Sequence, residues 1–170
     1  IDGLDGLAIR ICISLLAVVV YLAGVEGNNT VLEASIYAIA ACIPFLIINT
    51  HPAKMFMGDA GSLWIGGVLF WLYALVQPSG NESTAAFVGW FPLLLSIPVI
   101  DVAMVMIRRI MNGYSIMRAD RNHIHHRLQQ FLGHCNTVEY IGVVSALWSL
   151  ALIVLVNWYS IVVASVIGLL

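Results

Sequence analysis

Leu7-Ala8-Ile9-Arg10-Ile11-Cys12-Ile13-Ser14-Leu15-Leu16-Ala17-Val18-Val19-Val20-Tyr21-Leu22-Ala23 sets the class of fold. A helix crossing a bilayer needs ~20 consecutive apolar residues, with ~17 at the short end, and this run meets the lower bound. Its one charge, Arg10, lies close enough to the end to reach the interface while its stem stays in apolar surroundings. Working outward, Ala34–Ile48, Ser62–Val76, Phe87–Ile107 and Val138–Val156 repeat the pattern, the first two of these being marginal without their flanks. Ile161–Leu170 reads as the start of a sixth span, with Asn157-Trp158-Tyr159-Ser160 as the turn before it and an interfacial aromatic pair. The expected fold is all-α: a polytopic transmembrane helical bundle of five to six spans, forming a single integral membrane domain over residues 1–170.

Composition agrees with this reading. Hydrophobic residues make up 61% of the chain and charged residues 9%, and the mean hydropathy is +0.97. Soluble domains carry about 25% charged residues, so this chain cannot cover a water-facing surface and takes a bilayer as its solvent. No basic patch amounts to a nucleic-acid footprint. Cys12 and Cys42 lie in apolar runs and Cys135 beside His134, which reads as three separate thiols rather than a disulfide framework. The opening Ile-Asp-Gly-Leu-Asp-Gly is no signal peptide. With no initiator methionine and an apolar end, the chain reads as a fragment cut at both ends.

The charges give the orientation. Gly24–Glu33 and Gln77–Ala86 contain no Lys or Arg, whereas Asn49–Gly61 carries Lys54 and Arg108–Thr137 carries Arg108, Arg109, Arg118, Arg121 and Arg127. The basic loops are therefore expected on the cytoplasmic side, and counting spans back puts Asp2–Gly6 there too. The triplets Asn28-Asn29-Thr30 and Asn81-Glu82-Ser83 fit glycosylation acceptors but are short enough to arise by chance. Each notable polar cluster falls on one membrane face: Asp2 and Asp5, Asn49 to Asp59, and Arg108 to His126.

Three constellations carry chemistry. In Asp2-Gly3-Leu4-Asp5-Gly6, two carboxylates three apart would share one helix face, with glycines that admit a ligand close to the backbone. They suit a divalent ion or a polyhydroxylated substrate; a capping aspartate followed by a turn is the plainer alternative. In Asn49-Thr50-His51-Pro52-Ala53-Lys54-Met55-Phe56-Met57-Gly58-Asp59-Ala60-Gly61-Ser62, Asp59 is expected at the start of the third helix. There it offers a hard oxygen ligand suited to Mg²⁺, while Phe56 presents an aromatic face to a base. A helix start capped by Asp59 or Ser62 accounts for Asp59 but leaves Asn49, Lys54 and Phe56 unexplained. In Asp120-Arg121-Asn122-His123-Ile124-His125-His126-Arg127, imidazoles among arginines form an anion-binding surface. A zinc site that draws in His134 and Cys135 competes with it, though its spacing does not match the helical His-Glu-x-x-His pattern, and a solvated loop is the third reading. Asp101, inside the fourth span, needs a partner, with Arg108 or Arg109 as the candidates.

Asp-Gly-Leu-Asp-Gly-Leu-Ala, Pro-Ala-Lys-x-Phe-Met-Gly-Asp-Ala-Gly-Ser, Ile-Pro-x-x-Asp before Arg-Arg, and His-Ile-His-His follow in order from Asp2 to about Leu128, separated by spans. Together they resemble the polyprenyl-phosphate N-acetylhexosamine-1-phosphate transferases of glycosyltransferase family 4. The His-Ile-His-His form is similar to the undecaprenyl-phosphate N-acetylglucosamine-1-phosphate branch. The resemblance implies that Asp59 binds Mg²⁺ and that Asp2 and Asp5 are catalytic or nucleotide-binding acids. It implies that Asn49 and Phe56 hold the uracil end, with Lys54 and Arg121 as further substrate contacts. His123, His125, His126 and Arg109 match positions that handle diphosphate. The family's upstream Asp-Asp motif would lie before residue 1.

The implied reaction moves N-acetylhexosamine 1-phosphate from a UDP-sugar to undecaprenyl phosphate in the bacterial cytoplasmic membrane, the first membrane step of cell-surface polysaccharide synthesis. Its partners are UDP-N-acetylhexosamine, undecaprenyl phosphate and the lipid bilayer, with no nucleic acid; a homodimer is a further expectation. Two other functions share parts of this pattern. A transporter would align polar residues at mid-membrane, where Asp101 is the only charge. A catalytically inactive partner subunit would keep every feature named.

Overall fold

The computed structural model describes residues 4–76, 92–113 and 124–167, excluding the side chains of 124–126 and 160–167. These residues form helices and connecting loops without strands. The helices are α1 (Leu7–Val25), α2 (Asn29–Asn49), α3 (Gly58–Leu75), α4 (Ser96–Met111), α5 (Ile124–Leu132) and α6 (His134–Ile167).

α1 is the centre of the bundle and packs against α2, α3 and α6. Leu7, Ile9, Leu15, Leu16 and Val19 are fully enclosed. The outer helices turn large apolar side chains outward, among them Ile47, Leu63, Trp64, Trp71, Leu147 and Leu150. Such faces are stable only against an apolar solvent, so the lipid bilayer completes the fold.

Chain reversals at the two ends set the antiparallel order. α1 closes at Glu26 and Gly27, and Asn28 starts α2 by accepting the Val31 N–H on its side chain at 3.2 Å. The Asn28 amide also donates to the Leu75 carbonyl at the end of α3. The Asn28-Asn29-Thr30 triplet is thus accounted for as a helix cap. Tyr21, on α1 at the same end, donates to Asn157 of α6. The opposite end gathers the start of α1, the end of α2 and the start of α6.

Among the described residues, three helices are long and apolar enough to cross a membrane: α1, α2 and α6 from His134 to Tyr159. Neither α3, with 18 residues, nor the described α4, with 16, is among these three, so five to six spans are more than the described residues show. α2 reaches 21 residues with Pro44 inside it, which membrane helices tolerate because neighbouring groups satisfy the freed carbonyl. The turn expected at Asn157–Ser160 is corrected. α6 runs unbroken for 34 residues, because the four residues read as the turn, Asn157-Trp158-Tyr159-Ser160, include no Pro or Gly. Asn157 donates back to the Ile153 carbonyl, as a residue within a helix does. At 1.5 Å per residue α6 is about 51 Å long, against a hydrocarbon core of ~30 Å. One continuous helix therefore runs through the expected fifth span and into the segment read as the start of a sixth.

Candidate functional site

The polar end of the bundle is built on Gly6 and Asn49. Gly6 precedes α1 with φ +77°, a left-handed conformation that side chains other than glycine seldom adopt. Its N–H points at the end of α2 and donates to Asn49 Oδ1 at 2.9 Å. Asn49 is buried, and its Nδ2 donates to the Met55 carbonyl at 2.7 Å. A Lys54 N–H bond to the Ile48 carbonyl closes the same loop, residues 50–57, back onto α2. One amide side chain thus locks the start of α1 to the loop that leads into α3.

Asp5 lies in the turn before α1, which corrects the expectation that it sits on a helix face with Asp2. Its Oδ2 meets His51 Nδ1 at 2.8 Å and accepts the Ala53 N–H at 3.2 Å. The Asp5 N–H donates to His134 Nε2 at 3.3 Å, joining residues 129 positions apart. The rings of His51 and His134 stack at 4.2 Å between centroids, tilted by 31°. The His51 hydrogen bond holds the Asp5 carboxyl below the usual carboxylate range against the opposing effect of partial burial, with the Ala53 N–H and the nearby His134 adding to it. Asp5 is therefore a carboxylate at neutral pH: an acceptor and a charge, not a proton donor.

Asp59 stands in the first turn of α3 with its side chain exposed, as expected, where the helix dipole favours a negative group. The capping alternative is corrected: Met57 holds the cap position without a side-chain hydrogen bond, and Ser62 Oγ donates back to the Asp59 carbonyl. Phe56 is 75% exposed, and Lys54 is exposed beside it. Arg109 is half-buried in the last turn of α4, where the dipole favours a cation. Asp101 is buried two turns earlier on the same face as Arg108. Asp2, Arg121 and His123 lie outside the described residues, as do the side chains of His125 and His126; those two have their backbone in the first turn of α5.

The structure therefore brings Asp5, Asn49 and the loop carrying Lys54 and Phe56 together, and adds two residues to which motif reading gives no part beside Asp5. His51 sits inside a quoted motif with no periodic signal of its own, and His134 reaches the site only through the packing of α6 on α1. Beside this end, α1, α3 and α4 enclose a groove of about 570 Å³ lined by apolar side chains such as Ile11, Leu15, Leu69, Val102 and Met106. Ala8 and Met57, at its polar end, follow shortly after Asp5 and directly after Phe56 in the chain. A charged group bound near Asp5 could thus keep an attached hydrocarbon chain in an apolar slot.

Residues 1–77 match the model of glycosyl transferase family 4. A probable undecaprenyl-phosphate N-acetylglucosaminyl 1-phosphate transferase of Bacillus subtilis is 38% identical over 157 residues, covering 91% of this chain and 43% of that protein. A decaprenyl-phosphate N-acetylglucosaminephosphotransferase of Mycobacterium leprae is 32% identical over 151 residues, covering 79% of this chain and 38% of the relative. An undecaprenyl-phosphate alpha-N-acetylglucosaminyl 1-phosphate transferase of Escherichia coli is 32% identical over 136 residues, covering 76% and 36%. The chain spans less than half the length of these relatives. No solved structure matches it.

Proposed function

The chain belongs to glycosyl transferase family 4, and from that membership we propose that the protein carrying it transfers N-acetylglucosamine 1-phosphate from UDP-N-acetylglucosamine to undecaprenyl phosphate. An oxygen of the lipid phosphate attacks the sugar-linked phosphorus, the bond to the bridging diphosphate oxygen breaks, and UMP leaves with that oxygen. The observation that carries this reading is the juxtaposition of a polar, carboxylate-bearing cluster with an apolar groove at one end of a membrane bundle. A lipid phosphate and a water-soluble nucleotide must meet at such a boundary.

A phosphate monoester is largely ionised at neutral pH, so the attacking group needs little help from a base. Positioning and charge neutralisation supply most of the acceleration in phosphoryl transfer. Asn49 positions: it fixes the loop that presents Lys54 and Phe56. Lys54, with Arg109 and the arginines and histidines of segment 118–127, offsets phosphate charge, and Phe56 offers its exposed face to the uracil. The groove holds the start of the polyprenyl chain. The active-site loops face the cytoplasm, in agreement with the placement of Lys and Arg.

Magnesium fits these residues. Mg²⁺ takes one or two carboxylates plus phosphate oxygens and water, and Asp59 offers an exposed carboxylate on the first turn of α3. Asp5 Oδ2 is engaged by His51 and Ala53, so Asp5 would contribute through its other oxygen. When bound, the ion neutralises charge on the diphosphate. In the full-length protein, Asp59→Asn is expected to lower Mg²⁺-dependent turnover by 10²-fold or more, since a metal's charge stabilisation amounts to roughly several kcal/mol. Near-normal turnover with an unchanged Mg²⁺ dependence would remove Asp59 from the metal site.

A further inference from the structure

His51, His134 and Cys135 each offer one ligand atom, and the three atoms lie within 4.8 Å of one another. The family reading assigns nothing to this trio. It differs from the histidine-rich segment 123–126 in residues and in surroundings: that segment lies among arginines that repel a dication, whereas this cluster has the Asp5 carboxylate against it. Two imidazole nitrogens and a thiolate sulfur form a soft to borderline donor set that favours zinc over magnesium.

We propose that His51, His134 and Cys135 form a site for a divalent cation of the zinc class, which ties loop 50–57 to the start of α6. Bonds of about 2.0–2.3 Å in a tetrahedral site leave ligand atoms about 3.3–3.8 Å apart, so small side-chain rotations close the cluster. Asp5 supplies the supporting interaction such sites use. Its Oδ2 meets His51 Nδ1 at 2.8 Å; with Nδ1 donating to the carboxylate, Nε2 would be the nitrogen left for the ion, the carboxylate–histidine–metal arrangement. His134 gives up only a long acceptor bond, 3.3 Å from the Asp5 N–H. Its Nδ1 is buried without a hydrogen-bond partner among the described residues, so the ring is not committed to a second interaction. Cys135 is exposed and outside any disulfide, which leaves the thiol accessible. Water completes the four positions.

The proposal does not rest on the transfer reaction, and its test needs no turnover. Metal-free full-length protein in detergent is titrated with Co²⁺, whose tetrahedral thiolate complexes show visible d–d bands and a near-ultraviolet sulfur-to-cobalt charge-transfer band. The expected result is saturation at one equivalent, displacement by Zn²⁺, and no displacement by millimolar Mg²⁺. Cys135→Ser should abolish the charge-transfer band while the metal-free variant unfolds at the wild-type temperature; His51→Ala should weaken Co²⁺ binding at least tenfold. A wild type without the charge-transfer band, or a band that persists in Cys135→Ser, would overturn the assignment.

Discussion

Asn49 and Asp5 show how single side chains set the geometry of the polar end. The Asn49 amide satisfies the Gly6 N–H and the Met55 carbonyl from a buried position, and each buried group left unpaired by its removal would cost about 1–3 kcal/mol. Asp5 takes its properties from His51. Because its folded-state value is depressed, the stabilisation from this pair is complete above the unfolded aspartate range, about pH 3.9. It is lost as pH falls through the lower folded-state value. His51→Ala is therefore expected to raise the Asp5 titration midpoint, followed by the carboxyl-carbon chemical shift of labelled protein; an unmoved or lowered midpoint would mean that His51 does not hold the carboxylate. The motifs made Asp5, Asn49 and Asp59 legible because each stands in an unusual run of Gly, Pro and polar residues between apolar segments. His134 was not legible as a partner of Asp5. The two are 129 positions apart, and no local pattern encodes a contact that exists only once α6 packs along α1.

At the scale of helices, the apolar runs announced α1, α2 and α3, and Asp59 fell at a helix start as expected. The end of the chain was misread for an identifiable reason. Asn, Trp, Tyr and Ser at 157–160 look like an interfacial turn, yet none of them breaks a helix, and Asn157 finds partners on α1 and on its own preceding turn. Close packing of α6 on α1 supports the continuous helix: a Cβ added at Gly142 would sit 3.4 Å from the Arg10 side chain. If α6 crosses the membrane once, cysteines introduced at Gly133 and Ile167, in a background lacking Cys12, Cys42 and Cys135, should react with an impermeant maleimide from opposite sides of the membrane. Reaction from the same side would restore the hairpin of two spans.

For the molecule as a whole, the bundle divides labour along its axis. Its flanks are apolar and face lipid, and the end formed by Asp5, loop 50–57 and the start of α6 gathers carboxylate and imidazole groups beside an apolar groove. Composition alone makes the membrane legible, and motif order makes the family legible. Which polar groups touch is decided by the pairing of helices. The central claim, that this end serves transfer of a sugar phosphate rather than of a bare sugar, is tested most directly by following the β-phosphorus of the donor. Full-length protein in membranes is supplied with undecaprenyl phosphate and UDP-N-acetylglucosamine labelled with ³²P at the β-phosphate. The account predicts that the label enters the lipid fraction together with the sugar while unlabelled UMP is released. Label remaining on the nucleotide as UDP while the sugar reaches the lipid would contradict it.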